Sequence, residues 1–358
     1  MKIDPEQKLL IYAQGELAGT HAKTAEGVLR FRPESCLAIV DSTQAGKTAE
    51  AVLGIGGEIP VLGSMEEALE YEADAMLLGC AFTGGKLPDK WRRDIVFALE
   101  NGIDVINGLH DFLSEDEEFS SVAKAKGRKL IDLRLPPDYL EVAMARAAYV
   151  KAHTVLTVGT DCSVGKMTTS LALMEESKKR GNRARFVATG QTGIMIDGLG
   201  VAIDRVIGDF MAGVAEDLVL TAAENADYVF VEGQGSICHP GYSPVTLSLL
   251  HGVAPRCMVL CHRAGKTRIG ETDIEIPPVS LLIDLYERLA QFVRPSKVVA
   301  MAIDTSKLKE EEARELIESY VSLTGLPVTD PIRFGPQKIV DAVEEFCNAI
   351  DRQVVKPS

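Results

Sequence analysis

The run Gly159-Thr160-Asp161-Cys162-Ser163-Val164-Gly165-Lys166-Met167-Thr168-Thr169 follows the apolar stretch Thr154 to Val158 and precedes a stretch with helical spacing. Strand, glycine-rich loop and helix in that order make a phosphate-binding loop. The glycines let successive backbone N–H groups converge on an anion, the helix N-terminus adds its positive dipole end, and a lysine supplies a full charge. Against the common spacing G-x-x-x-x-G-K-[ST], Gly159 to Gly165 carries one extra residue, and Met167 stands where a hydroxyl ordinarily holds Mg²⁺. A thioether does not replace that oxygen ligand. Phosphate binding survives the change, because Lys166, the loop amides and the hydroxyls of Thr168 and Thr169 suffice to grip a pyrophosphate. A glycine-rich turn without a ligand would leave the coincidence of glycine, lysine and hydroxyl spacing unexplained.

The 358 residues favour two domains, and a chain that is 46% hydrophobic and 25% charged has ample material for a core. Its net charge of −14 opposes any nonspecific grip on nucleic acid or anionic lipid. No apolar run approaches the ~18 residues that a membrane span needs, and the polar segment Met1 to Gln7 lacks the apolar centre of a signal peptide, so a cytoplasmic location is expected. Seven cysteines, an odd number set mostly in apolar runs, read as reduced buried thiols. Cys257, Cys261 and His262 match no zinc-ligand spacing, and no metal site is expected. Composition leaves homo-oligomerisation open.

Six short apolar runs punctuate the first part of the chain: Leu9 to Ala13, Leu37 to Asp41, Ile59 to Leu62, Ala75 to Cys80, Asp104 to Asn107 and Lys129 to Leu133. Nearly all-apolar runs of this length, separated by helical segments, predict a parallel sheet covered on both faces. Residues 1–137 are thus expected to form a Rossmann-like doubly wound domain. Its first turn, Gln14 to Thr20, lacks the dinucleotide fingerprint, although Asp41 ends the second strand where a ribose-binding carboxylate would stand. Ala45-Gly46-Lys47-Thr48 reads as a loop opening a helix rather than a second phosphate loop.

Pro136-Pro137 marks a break, after which Asp138 to Lys151 has helical spacing. A second alternation places strands near Thr154 to Val158, Arg185 to Thr189, Tyr228 to Val231, Cys257 to Cys261 and Val298 to Ile303. Residues 138–358 are therefore expected to form a P-loop NTPase-like α/β domain with a mostly parallel sheet, built around the loop 159–169. Lys178, Lys179 and Arg180 before Gly181 should close its first helix.

Beyond the loop, Tyr228 to Val231 runs into Glu232-Gly233-Gln234-Gly235, an apolar strand ending in a carboxylate beside glycines that let a ligand approach. At that position Glu232 can face bound phosphates or hold a metal. The following loop carries His239, Tyr242 and Ser243 among turn-forming residues. Polar reactive side chains at a sheet's carboxyl edge favour a site: His239 can take a proton near neutral pH, and Tyr242 can donate to a developing oxyanion. Two more strand-end segments offer candidate substrate contacts: Gln191, followed by Asp204 and Asp209, either of which could orient an ammonium group, and the cationic run Arg263 to Arg268, in which Arg263 and Lys266 suit a carboxylate.

The motifs Gly159-Thr160-Asp161, Val164-Gly165-Lys166 and Val231-Glu232-Gly233 resemble those of dethiobiotin synthetase and related ATP-dependent amide-forming enzymes. A longer set, Gly159 to Thr169, then Glu232-Gly-Gln-Gly-Ser, His239-Pro-Gly-Tyr-Ser and Arg263-Ala-Gly-Lys, is similar to the D-glutamate N-acetyltransferase family, formerly a domain of unknown function. That resemblance implies acetyl-CoA as cofactor, its pyrophosphate held by the phosphate loop, and acetyl transfer to the amine of D-glutamate or another acidic amino acid. Met167 fits such a use, since CoA brings a pyrophosphate but no γ-phosphoryl group to transfer. His239 or Glu232 is then the candidate base, Tyr242 the third candidate catalytic group, and Arg263, Lys266, Gln191, Ser243 and Asp209 the candidate substrate contacts. Two other functions stay open: an ATP and Mg²⁺-dependent carboxylate–amine ligase, and a nucleotide sensor without catalysis.

Overall fold

The structure is a computed structural model and describes residues 3, 4, 6–82, 84–138 and 140–354. The expectations for Met1, Lys2, Pro5 and Tyr139 lie outside the described residues. The chain folds as two compact units, Met1–Pro136 with Gly190–Arg205, and Pro137–Thr189 with Val206–Ser358.

In the first unit the strands are β1 (Leu9–Tyr12), β2 (Cys36–Val40), β3 (Val61–Leu62), β4 (Ala75–Leu78), β5 (Asp104–Asn107) and β6 (Leu130–Asp132). They pair in the order β3-β2-β1-β4-β5-β6, every neighbour parallel. This is a doubly wound sheet whose strand order reverses between β1 and β4, and both of these central strands are buried along their whole length. Each apolar run noted in the sequence supplies one of the six strands. Thr48 caps the helix Ala49–Leu53 by accepting from the Ala51 amide, so the Gly46-Lys47-Thr48 segment opens a helix as read.

Asp41, fully buried after β2, spends its carboxylate on the protein itself. Oδ1 accepts from the Gly15 and Thr43 amides at 3.0 and 2.9 Å, and Oδ2 from the Leu17 amide at 2.9 Å. A ribose would find those lone pairs taken. The segment 190–205, which the sequence reading kept in the second domain, packs into this first unit through the helix Gln191–Asp197. Arg32 Nη1 donates to the Met195 carbonyl at 3.0 Å, Arg134 Nη1 to Gln191 Oε1 at 2.7 Å, and Thr192 meets Thr24 at 3.0 Å. Such long-range polar contacts are invisible to local periodicity.

The second unit contains β7 (His153–Gly159), β8 (Ala184–Val187), β9 (Tyr228–Val231), β10 (Cys257–Arg263), β11 (Lys297–Asp304) and β12 (Val328–Thr329), in the order β12-β11-β10-β7-β9-β8. All of these pairings are parallel too. Only β12, two residues long, gave no signal in the sequence. The phosphate loop leaves β7 with β10 and β9 on either side, so three strand ends converge on it. The helix Lys166–Lys179 follows, and Arg180 and a left-handed Gly181 (φ 89°) end it where the basic cluster predicted.

Helical spacing over Asp138 to Lys151 did not produce a helix; among the described residues only the 3-10 turn Arg146–Tyr149 forms there. Glu216, fully buried on the helix Met211–Ala223, explains the difference. Its carboxylate accepts from the Met144 amide at 3.1 Å, the Arg146 amide at 2.6 Å and Arg146 Nε at 2.7 Å. Charge-assisted bonds to a buried carboxylate outcompete local helix bonds for those amides. No helix among the described residues is long and apolar enough to cross a membrane.

Candidate active site around the phosphate loop

Lys166 opens its helix and folds back across the loop, where Nζ donates to the Asp161 carbonyl at 2.8 Å. The side chain is almost fully buried, and that burial pushes its pKa below the ordinary lysine value against the opposing pull of Cys162, Cys261, Asp161 and Glu232. A cation held in so dry a place is incompletely compensated, and an anion in the loop would relieve it. Thr169, by contrast, is buried with its hydroxyl on Cys261, so it serves packing. Thr168 and Met167 are half-buried.

Asp161 is the residue the sequence underused. Its side chain is fully buried, Oδ2 accepts from Lys266 Nζ at 2.9 Å and the Gly270 amide at 2.6 Å, and Oδ1 has no hydrogen-bond partner. Burial alone would raise its pKa, but the Gly270 amide and Lys266 ammonium hold it below the usual carboxylate range. Lys266, expected to anchor a carboxylate, is thereby fixed beside the loop as a second ammonium. Arg263 pairs with Asp304 at 2.8 Å, so a substrate carboxylate would have to share that guanidinium.

His239 lies against the loop: a ring nitrogen, Cys162 Sγ and an Asp161 carboxylate oxygen sit within 4.8 Å of one another. Nδ1 accepts from the Gly241 amide at 3.1 Å, which spends that lone pair and leaves the ring proton on Nε2. Nε2 is on the side of Gly270, where an added Cβ would lie 3.3 Å away. In this tautomer His239 is a donor toward the loop rather than a base. The same tautomer, with Lys266 already on Asp161, is unsuited to a metal ligated through Nε2. Tyr242, half exposed, packs its ring 4.6 Å from His239. Ser243 starts the helix Ser243–Val253.

Glu232 occupies the end of β9 as expected, almost buried; Oε2 accepts from the Thr189 amide at 3.0 Å, while Thr189 Oγ1 donates to the Glu232 carbonyl at 2.8 Å. Its negative charge acts on Lys166. Gln191 belongs to the first unit, bonded to Arg134, as does Asp204, whose carboxylate pairs with that same arginine. Asp209 is exposed on the turn Gly208–Phe210. The structure thus brings Lys166, Asp161, Cys162, His239, Lys266 and Glu232 together.

Tyr286 was missed in the sequence. Fully buried on the helix Val279–Ala290, it donates from its hydroxyl to the Gly159 carbonyl at 2.7 Å and accepts from the Ile237 amide at 3.1 Å, tying the first residue of the phosphate loop to the His239 loop. The signal was a tyrosine on an apolar helix face, whose hydroxyl requires a partner. Tyr286→Phe should cost about 1–2 kcal/mol in urea unfolding, and it should weaken ligand binding at the loop. A midpoint equal to the wild type would remove this brace from the account.

His262 provides a pH-dependent element. Buried at the end of β10, it bonds Thr160 Oγ1 through Nδ1 at 2.9 Å. Burial, then the charge of Lys266, lower its pKa to about 4. An unfolded histidine takes its proton near pH 6.5, so between about pH 6.5 and 4 the unfolded chain binds more protons and stability falls as the pH is lowered. The contribution is roughly 3 kcal/mol across that window. His262→Asn should flatten the corresponding part of the unfolding-versus-pH curve; an unchanged slope would show that other groups govern it.

The parallel sheet, the loop leaving its central strand and the lysine at the helix start define a P-loop α/β unit, joined in one chain to a Rossmann-like unit. Family models agree: residues 141–340 match the domain of unknown function (DUF1611_C) P-loop domain and residues 42–136 the DUF1611_N Rossmann-like domain. The chain belongs to the DUF1611 family. It is 38% identical over 325 residues to a Tritonibacter scottomollicae protein named D-glutamate N-acetyltransferase, covering 90% of this chain and 94% of that one. A Pseudoalteromonas protein of the same name is 39% identical over 279 residues, 77% of this chain and 83% of the relative. The crystal structure of a DUF1611 protein from Anabaena variabilis superposes with a TM-score of 0.91 at 39% identity, covering 95% of this chain and 99% of the other.

Proposed function

We propose that the protein transfers an acetyl group from acetyl-CoA to the amine of an acidic amino acid, with D-glutamate the first candidate. The observation that carries this reading is a phosphate loop with an undercompensated buried lysine and a methionine in place of the Mg²⁺ hydroxyl, in a chain similar over most of its length to two proteins named D-glutamate N-acetyltransferase. Such a loop suits anion binding without phosphoryl transfer. Its amides and the two ammonium groups fit either of two anionic parts of the donor's reaction: the pyrophosphate expected from the sequence, or the oxyanion raised when the thioester is attacked. With the Nδ1 lone pair of His239 engaged, Glu232 is the better candidate of the two bases.

The purified protein, given acetyl-CoA and D-glutamate, should release free CoA thiol and form N-acetyl-D-glutamate, followed by thiol titration and by mass spectrometry of the product. ADP release that needs Mg²⁺ and a carboxylate substrate would instead establish the ligase, the reading that Glu232 beside Lys166 favours. Turnover in neither assay, across a panel of acidic amino acids, would overturn both.

A further inference from the structure

Cys162 is set apart from most of the other cysteines by its surroundings. Cys36, Cys80, Cys257, Cys261 and Cys347 are buried, whereas Cys162 is half-buried within the phosphate loop. Its sulfur lies with Asp161 and His239, it acts electrostatically on Lys166 at the start of the helix Lys166–Lys179, and Lys266 is held nearby by Asp161. His239, with its proton on Nε2, and the fully buried Asp161, with Oδ1 unpartnered, complete a Cys–His–Asp group within 4.8 Å. An unpartnered carboxylate oxygen in a dry site calls for a donor, and a substrate ammonium or the His239 N–H can supply one.

We infer that Cys162 is a nucleophile, taking the acetyl group from acetyl-CoA as a thioester before passing it to the amine. This rests on the acetyl-transfer reading and makes the thioester, rather than the pyrophosphate, the part of the donor that meets the loop. With the pyrophosphate in the loop, the reactive carbon would lie a pantetheine arm away, and the three reactive groups gathered there would have nothing to act on. In the first step the Cys162 sulfur bonds to the carbonyl carbon, the bond from that carbon to the CoA sulfur breaks, and the thiol proton ends on CoA. In the second the neutral amine attacks the acetyl-Cys162 carbon, a C–N bond forms, the C–S bond breaks and the proton lost by the nitrogen returns to Cys162. Thioester is exchanged for thioester, so no other reactant is needed. The loop amides and the His239 N–H are the candidate donors to the oxyanion of both steps.

Two measurements on the full-length enzyme test this. First, the enzyme is incubated with acetyl-CoA and no amino acid, quenched in acid, and its peptides analysed by mass spectrometry. The Cys162 peptide should carry one acetyl group that disappears when D-glutamate is added before the quench, while the peptide of the half-buried Cys238 serves as a control. Second, labelled CoA should exchange into acetyl-CoA in the absence of amine. Cys162→Ala should lose exchange and N-acetylation by at least about 10²-fold with an unchanged unfolding midpoint. Wild-type N-acetylation without acetyl-Cys162 and without exchange, retained in Cys162→Ala, would overturn the nucleophile and leave direct transfer standing. If wild type shows neither N-acetylation nor exchange, the acetyl-transfer reading fails, and the nucleophile with it.

Discussion

Lys166→Ala is expected, with the CoA pyrophosphate in the loop, to weaken acetyl-CoA binding by about 100-fold or more in calorimetric titration, because it removes a desolvated, charged hydrogen-bond donor from an anion; with the neutral thioester there instead, the loss falls on turnover rather than on affinity. The fold should survive the change. The Lys166 ammonium is buried with its charged form disfavoured in the protein alone, so removing it relieves a cost. Lys166→Met, closer in volume, should unfold at the wild-type midpoint or above it and bind no better than the alanine variant. Anion binding should also draw a proton onto Lys166 in alkaline solution, because the lysine's lowered pKa rises once an anion faces it. Titrations in buffers of different ionisation enthalpy read that uptake. Affinity unchanged in both variants would show that the loop does not hold the pyrophosphate.

The second large effect is on stability. Gly233 follows Glu232 where β9 runs beside β7, and a Cβ added there would lie 1.7 Å from the Thr157 carbonyl oxygen and 3.2 Å from Lys166 Cδ. The obstacle is backbone in the middle of the sheet, so no side chain can swing away. The Gly233 amide also donates to Thr157 Oγ1 at 3.0 Å, a bond that would part with the strands. Gly233→Ala should therefore lower unfolding stability by about 3 kcal/mol and displace Glu232 from Lys166. Urea unfolding gives the first quantity and acetyl-CoA titration the second. A variant as stable as the wild type would mean that β7 and β9 are not spaced as described. Glycine here permits a close approach of chains, which explains a residue that the sequence suggested only as access for a ligand.

Much of the architecture was legible because it is set locally. Runs such as Leu9 to Tyr12 and Ala75 to Leu78 are apolar on both faces, and only a sheet covered on two sides buries them so. The phosphate loop was legible for the same reason: its glycines, lysine and following helix are consecutive in the chain. Glu232 was found because a carboxylate at the end of an apolar strand lies at the sheet's carboxyl edge.

What failed was local reasoning about groups whose partners are distant in sequence. Asp138 to Lys151 has the period of a helix, yet Glu216, about seventy residues on, takes its amides. The sequence offered Arg263 and Lys266 as carboxylate anchors but did not show that Asp304 and Asp161 pair with them. Asp41 suggested a ribose contact, and the first turn of its own unit used it up.

The sequence by itself determined two α/β units, the strands of both sheets except β12, and a P-loop without its Mg²⁺ hydroxyl, because those depend on hydrophobic period and on residues adjacent in the chain. Tertiary structure alone decided which lone pairs and charges remain for a ligand. It turned the Nδ1 of His239 to an amide, placed Lys266 on Asp161, braced Gly159 with Tyr286, and set Cys162 among all of them. Hydrogen bonds and ion pairs are settled by distances of a few ångströms in space, and sequence separation carries no information about them.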